Sequence, residues 1–169
     1  MSENAYRIAV LTKYVPDTQF EQKLDDTLRV DRSESVMSEL DEYAVEAAMQ
    51  IVEAEDTDAA NSAVIAFTLG AADASKGLRR ALQLGAHEGV HILDDAFAGA
   101  DALATSRIIA AALSTYEQEH GTFDLILTGM ASTEGETSLV PVQVSELLGR
   151  TGISQVASLT VAGRTVRAR

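Results

Sequence analysis

The sequence predicts a single α/β domain built on a mostly parallel, doubly wound sheet. Three observations predict it. Short, nearly continuous apolar runs such as "RIAVLTKYV" and "SAVIAFTLG" alternate with amphipathic segments. The order is β-α-β-α-β-α-β-α-β, in which each helix serves as a right-handed crossover and covers a face of the sheet. The 169 residues suffice for one sizeable core and not for two.

Arg7 to Val15 reads as the first strand, stopped by "PDT" at Pro16 to Thr18. An acidic, irregular stretch follows to about Ser35, in which the alternation of "TLRVDR" suits a short hairpin arm. From Glu39 a helix is expected. Leu40, Tyr43, Ala44, Ala47, Ala48 and Ile51 form one stripe, with Ser38 and Asp41 as a near capping box. Ser62 to Gly70 is a buried-type strand. Ala72 to Ala86 is a helix closed by Gly85, and Glu88 to Leu93 the next strand. Ala100 to His120 is a long helix stopped by Gly121, followed by the strand Phe123 to Gly129. A loop, "GMASTEGETSLVP", leads to a short helix, Val140 to Gly149, and a last strand, Ile153 to Gly163. Gly163 lies between two β-prone stretches, as in a hairpin just begun. A domain stopping there is expected to be the N-terminal fragment of a longer, C-terminally truncated protein; the alternative is a short terminal edge strand. There is no internal repeat or linker, so residues 1–169 form one domain.

Composition excludes several classes. Without cysteine there is no disulfide, thiolate catalysis or Cys-zinc site. A net charge of −13 argues against nucleic-acid binding. No run approaches a membrane span, and the N-terminus has no secretory pattern, so a cytoplasmic, bacterial-type location without membrane insertion is expected. The acidic pairs Asp25/Asp26, Asp94/Asp95 and Glu134/Glu136 lack metal-ligand spacing, and no metal site is expected. His91 reads as a hydrogen-bonded structural histidine; His87 and His120 flank helix ends. Lys76, Arg79 and Arg80 read as a solvated basic face.

In a doubly wound sheet, ligands bind beyond the carboxyl ends of the strands. The loop from Gly129 to Val140 is the longest such segment and carries glycine and hydroxyl residues but no lysine or arginine. Small residues let a ligand approach the main chain. Ser138, Leu139 and Val140 fall where the next helix begins, with free N–H donors at its positive end. The other reading is a surface loop whose Ser138 only caps the helix. Neither G-x-x-x-x-G-K-[ST], G-x-G-x-x-G after the first strand nor G-x-S-x-G is present.

Four blocks occur in order: "LTKYVPDT", "DEYAVEAAMQI", "LRRALQLGAHEGVHI" and "DLILTGMASTEGETSLVPVQVSELLG". Together they resemble the β subunit of electron transfer flavoprotein, from about Ile8 to Leu159. The resemblance implies an adenine-nucleotide-binding, Rossmann-like (alpha-hydrolase-like) fold and a heterodimer with an electron transfer flavoprotein α subunit. It implies electron transfer from acyl-CoA and related dehydrogenases to a quinone oxidoreductase, as in fatty acid β-oxidation. FAD would sit mainly on the α subunit, and AMP would be a structural ligand of this one; in electron-bifurcating relatives a second FAD takes that place. Carried over by motif, the AMP contacts would be Leu11, Ser38, Ala66 and Leu69, with the loop Gly129, Met130, Ala131, Ser132, Thr133, Glu134, Gly135, Glu136, Thr137, Ser138, Leu139 and Val140. No catalytic residues are implied.

The departures are Ser38 for the family's usual Asn, Gly70-Ala71 for Gly-Pro, Glu134 for Asp and His87 for Asp. The family's further strands, its leucine-bearing loop and its C-terminal arm are not in these 169 residues, so poor docking of partners is expected. The alternatives are a stand-alone adenine-nucleotide domain of universal-stress-protein-like type and an ATP-pyrophosphatase-type enzyme. The latter needs a Ser-Gly-Gly-x-Asp-Ser loop where this chain has "YVPDT".

Overall fold

The computed structural model describes residues 4–26 and 28–169. In chain order the elements are β1 (Arg7–Thr12), β2 (Tyr14–Pro16), β3 (Ser35–Met37), α1 (Glu39–Val52), β4 (Ala63–Leu69), α2 (Ser75–Gln83), β5 (Glu88–Ile92), α3 (Ala102–His120), β6 (Leu125–Thr128), α4 (Val140–Leu147), β7 (Leu159–Ala162) and β8 (Thr165–Ala168). β5, β4, β1 and β6 lie in that order in one sheet, and every pairing is parallel. The α/β, parallel-sheet expectation is met.

The strand sequences explain the layers. Successive side chains point to opposite faces. Ile8, Val10, Val64 and Ala66 therefore pack on one face against Val45, Ala48, Met49 and Val52 of α1 and Leu78 and Ala81 of α2. Ala9, Leu11, Ile65 and Phe67 pack on the other against Ile109 and Leu113 of α3 and Val144 of α4. β1 and β4 are covered on both faces, which is why they read as continuous apolar runs. Each large side chain fully buried here contributes about 1.5–3 kcal/mol of transfer free energy.

Three expectations are corrected. The first strand ends at Thr12 rather than Val15: the chain leaves the sheet at Lys13, and β2 pairs antiparallel with β3 in a separate ribbon. The α1 stripe is rotated. Ala44, Ala48 and Ile51 are buried as expected, but Tyr43 is 73% exposed and Asp41 is buried in its place. A periodicity count cannot see that a charged residue has a buried partner waiting.

The last predicted strand does not extend the sheet. Residues 153–158 are irregular, and β7 instead pairs with β8 as an antiparallel hairpin. Leu159 and Val161 pack on the core while Thr160 and Ala162 face out. That alternation belongs to a strand covered on one face. Gly163 turns the hairpin at φ +55. Tyr6 Oη donates to Gly163 O at 3.0 Å, and Arg164 pairs with Asp124 at 2.6 Å. The expected arm in "TLRVDR" is a single antiparallel bridge, Leu24 to Val30; Thr27 lies outside the described residues.

Leu113 is fully buried on α3, beneath the sheet. Leu113→Ala is expected to lower the unfolding free energy by about 3 kcal/mol. Urea denaturation should show a lower midpoint at unchanged slope. A loss under about 0.5 kcal/mol would mean that α3 does not pack as described.

Candidate functional site

The strand order places a reversal at β1. From β1 the chain moves through α1 to β4 and β5 on one side, then returns through α3 to β6 on the other. Helices leave the two sides of β1 on opposite faces, opening a crevice at the carboxyl ends of β1 and β6. Thr12-Lys13 and Thr128-Gly129 border it.

The start of α1 is bound to this point through the backbone of Lys13. Ser38 N donates to Lys13 O at 2.9 Å, and Lys13 N donates to Asp41 Oδ2 at 2.7 Å. The N–H of Gly129 faces the same carboxylate. A Cβ on Gly129 would collide with Asp41 Oδ1 and stand 3.1 Å from the Leu40 carbonyl carbon, so glycine is required there. Burial raises the Asp41 carboxyl to about 7, while the Lys13 and Gly129 N–H groups and the Lys13 charge pull the other way. On the far side of β1, Thr12 Oγ1 donates to Phe67 O at 3.1 Å and Thr68 Oγ1 to Thr12 O at 2.9 Å. These paired bonds fix the ends of β1 and β4.

The loop from Gly129 to Leu139 lies beside this junction. Ser132 Oγ accepts the Gly135 N–H at 3.1 Å, and Lys13 Nζ reaches the same hydroxyl at 3.4 Å. Glu136 N donates to Ser132 O at 3.0 Å, closing a turn over Thr133, Glu134 and Gly135. Glu136 and Ser138 hold left-handed backbones, φ +47 and +52. Such non-glycine conformations cost free energy and concentrate at ligand sites. Met130 is exposed, Ala131 half-buried, and Thr137 Oγ1 receives Leu139 N at 3.5 Å.

Two expected caps do not form. Ser138 precedes the N-cap of α4, which is Leu139, and its left-handed backbone differs from the extended geometry of a capping serine. Ser38 is the N-cap of α1, but its hydroxyl makes no capping bond, and Asp41 turns to Lys13 instead of completing a capping box. α4 therefore begins at Val140 with Pro141 in its first turn, so its first-turn donors are the backbone N–H groups of Val140 and Val142, Pro141 having none.

Among the described residues, the buried side-chain oxygens without a hydrogen-bond partner are Ser38 Oγ and Glu134 Oε2. Both flank Lys13: Ser38 through its backbone, Glu134 through an ion pair at 3.1 Å to Lys13 Nζ that lacks hydrogen-bond alignment. Burial pushes the Glu134 carboxyl up, but the Arg32 hydrogen bond and the Lys13 and Arg32 charges outweigh this and hold it below its ordinary value. A buried oxygen without a hydrogen bond is costly; Glu134 Oε2 is compensated by the Lys13 charge, whereas Ser38 Oγ has no such partner.

The other sequence-predicted residues divide. Leu11 lies one residue before the end of β1, its side chain in the α3-side core. Leu69 ends β4, one strand away from the crevice. Ala66 is not at a strand end: it sits mid-β4, fully buried against α1, with the neighbouring strands paired on both sides. Lys13, Asp41 and Arg32 were not singled out as site residues. Asp41 was the available signal, an acid three residues after Ser38 in an otherwise apolar stripe. His91 Nε2 meets Gly70 O at 3.0 Å, the structural role expected. His87 does not serve a helix end: its Nδ1 accepts the Val64 N–H at 3.1 Å. Arg80 pairs with Glu42 at 2.8 Å, so the basic face is partly neutralised.

The folded Asp41 value lies above its unfolded value of 3.8, so the folded chain keeps a proton that the unfolded chain releases. Stability from this group is full below about pH 4 and declines as pH rises toward about 7. Asp41→Asn should flatten that decline by about 2–4 kcal/mol, read as the wild-type minus variant difference in unfolding free energy between about pH 5 and 8. A pH-independent difference would contradict the buried, proton-binding carboxyl. Gly129→Ala is expected to destabilise by about 1–3 kcal/mol through the collision with Asp41; a neutral result would show that the strand ends are farther apart.

A family model described as the electron transfer flavoprotein domain matches residues 27–169. The electron transfer flavoprotein subunit beta of Mycobacterium leprae is 38% identical over 159 residues, covering 92% of this chain and 58% of that protein. The subunit beta of Clostridium acetobutylicum is 33% identical over 165 residues, covering 96% and 60%. The caffeyl-CoA reductase-Etf complex subunit CarD of Acetobacterium woodii is 33% identical over 158 residues, covering 92% and 57%. The chain spans about three-fifths of the length of these relatives. With a crevice at the reversal of its parallel sheet and a match over most of its residues, the chain belongs to the electron transfer flavoprotein domain family and is similar to that family's β subunits.

Proposed function

We propose that this chain is the nucleotide-binding part of an electron transfer flavoprotein β subunit, with AMP as a structural ligand in the crevice between β1 and β6. The observation that carries the ligand assignment is the buried Ser38 Oγ, which has no partner at the start of α1, together with Glu134 Oε2, which makes no hydrogen bond and is met only by the Lys13 charge. A nucleoside monophosphate suits them chemically. Its hydroxyl and amino groups can donate to the Glu134 carboxylate, and Ser38 can donate or accept. The phosphate belongs at the loop's far end, where first-turn N–H groups of α4 and the helix dipole favour an anion. It does not belong beside Asp41, whose carboxylate already occupies the start of α1.

The proposed protein is an electron-carrier subunit rather than an enzyme, located in the cytoplasm. Among the described residues no helix is long and apolar enough to cross a membrane. Its partner would be a FAD-binding α subunit, the flavin supplying the redox chemistry. Electrons would come from acyl-CoA and related dehydrogenases and pass to a quinone oxidoreductase. The Acetobacterium relative is named as part of a complex with a caffeyl-CoA reductase, which supports a dehydrogenase acting on a CoA thioester as the partner class. In this chain the residues of the site bind, orient and shield; none is assigned a proton or electron transfer.

The purified chain is expected to carry about one AMP per molecule, released on denaturation and identified by mass spectrometry of the supernatant, with a 1:1 stoichiometry as the criterion. A supernatant free of adenine nucleotide, from protein that also fails to bind added AMP, would remove the assignment. Coexpression with an electron transfer flavoprotein α subunit should yield a yellow heterodimer; a colourless, monomeric product would count against the partner.

A further inference from the structure

Glu134 joins three parts of the chain that are otherwise apart. It belongs to the loop, it pairs with Lys13 just past β1, and it pairs with Arg32 on the arm of residues 28–34 that leads into β3. We propose that Glu134 is a positioning residue whose carboxylate clasps the 28–34 arm across the loop, so that the arm straps the nucleotide in place and sets its rate of release. The proposal rests on the nucleotide reading above and gives one residue of that site a role other than ligand contact.

The geometry favours a clasp over an incidental surface pair. The Glu134 side chain is 16% exposed, whereas those of Lys13 and Arg32 are 41% and 47% exposed. The acid is tucked beneath and the two cations close over it. Arg32 is oriented by further bonds: its Nη1 donates to Tyr14 O at 3.3 Å, and its carbonyl accepts from Ser35 Oγ at 2.9 Å. The base of the arm is fixed by the β2–β3 ribbon and by Asp17 N donating to Glu34 O at 3.0 Å. Beyond that base, core packing does not hold the arm. A cleft of about 210 Å³, bordered by Leu24, Val30, Thr133 and Glu134, separates it from the loop. Half-screened ion pairs thus provide the connection between the arm and the loop.

Two cations meet one carboxylate, so the cluster keeps one unit of positive charge, and Glu134 holds both partners rather than neutralising them. A single carboxylate holding two cations is also sensitive to reach. Aspartate, one methylene shorter, can satisfy one partner but not both.

The test compares wild type with Glu134→Gln, Glu134→Asp and Arg32→Ala. In nucleotide-free protein, backbone hydrogen exchange of residues 28–34 should be about five-fold faster in Glu134→Gln and Arg32→Ala, with Glu134→Asp intermediate. Wild type in about 1 M salt should approach the variants, because salt screens the pairs. AMP release, followed by filtration of loaded protein, should accelerate about five-fold in the same order. Equal exchange in wild type and Glu134→Gln would overturn the clasp. Faster exchange with unchanged AMP release would overturn the strap. Wild type that holds no AMP would overturn the nucleotide reading and with it the strap, while the exchange comparison would still decide whether the clasp exists.

Discussion

The Asp41 carboxylate occupies the point where β1 and β6 diverge, and it takes the N–H of Lys13, the first residue past β1. Burying a carboxylate there is costly, and only convergent backbone donors make it tolerable. That requirement spreads outward. Gly129 must lack a side chain because the carboxylate fills its space. The start of α1 must lie against the end of β1, because Ser38 N and Asp41 grip the two sides of the Lys13 backbone. With its backbone pinned, Lys13 can send only its side chain toward the loop, where it meets Ser132 and Glu134. One buried acid thus connects the strand ends, the first helix and the loop.

This arrangement explains how a chain with a net charge of −13 can offer a place to an anion. The donors near the loop are mainly backbone N–H groups and a helix start, which carry partial positive charge without adding lysine or arginine. The two cations that do approach are both engaged by Glu134. The proposed ligand would fit such a loop through shape and hydrogen bonds, which suits a group that stays bound.

Much of the architecture was legible in the sequence because buried parallel strands write themselves as apolar runs. "RIAVLT" and "SAVIAFTL" could hardly be anything else, and the spacing of helices between them predicted the parallel sheet. The parts that were not legible depend on long-range partners. The break at Lys13 follows from a hydrogen bond to a residue 28 positions away. The rotation of α1 follows from the same contact, since periodicity scores Asp41 as polar and places it outward. The last strand was read by composition, where its alternation at Leu159 and Val161 pointed to a half-covered hairpin. At the site, the loop's position followed from the general rule for doubly wound sheets, and the placement of Ser38 beside it from the family resemblance. Ala66 has its side chain in the core, so only its backbone could serve a ligand. Arg32, 102 residues before Glu134, had no local signal at all.

The most direct measurement is a crystal structure of the protein grown with AMP. The account predicts one nucleotide in the crevice between β1 and β6, with Ser38 Oγ and Glu134 Oε2 newly partnered and the phosphate against the first turn of α4. A nucleotide bound elsewhere, or one in the crevice that leaves both oxygens without partners, would contradict it.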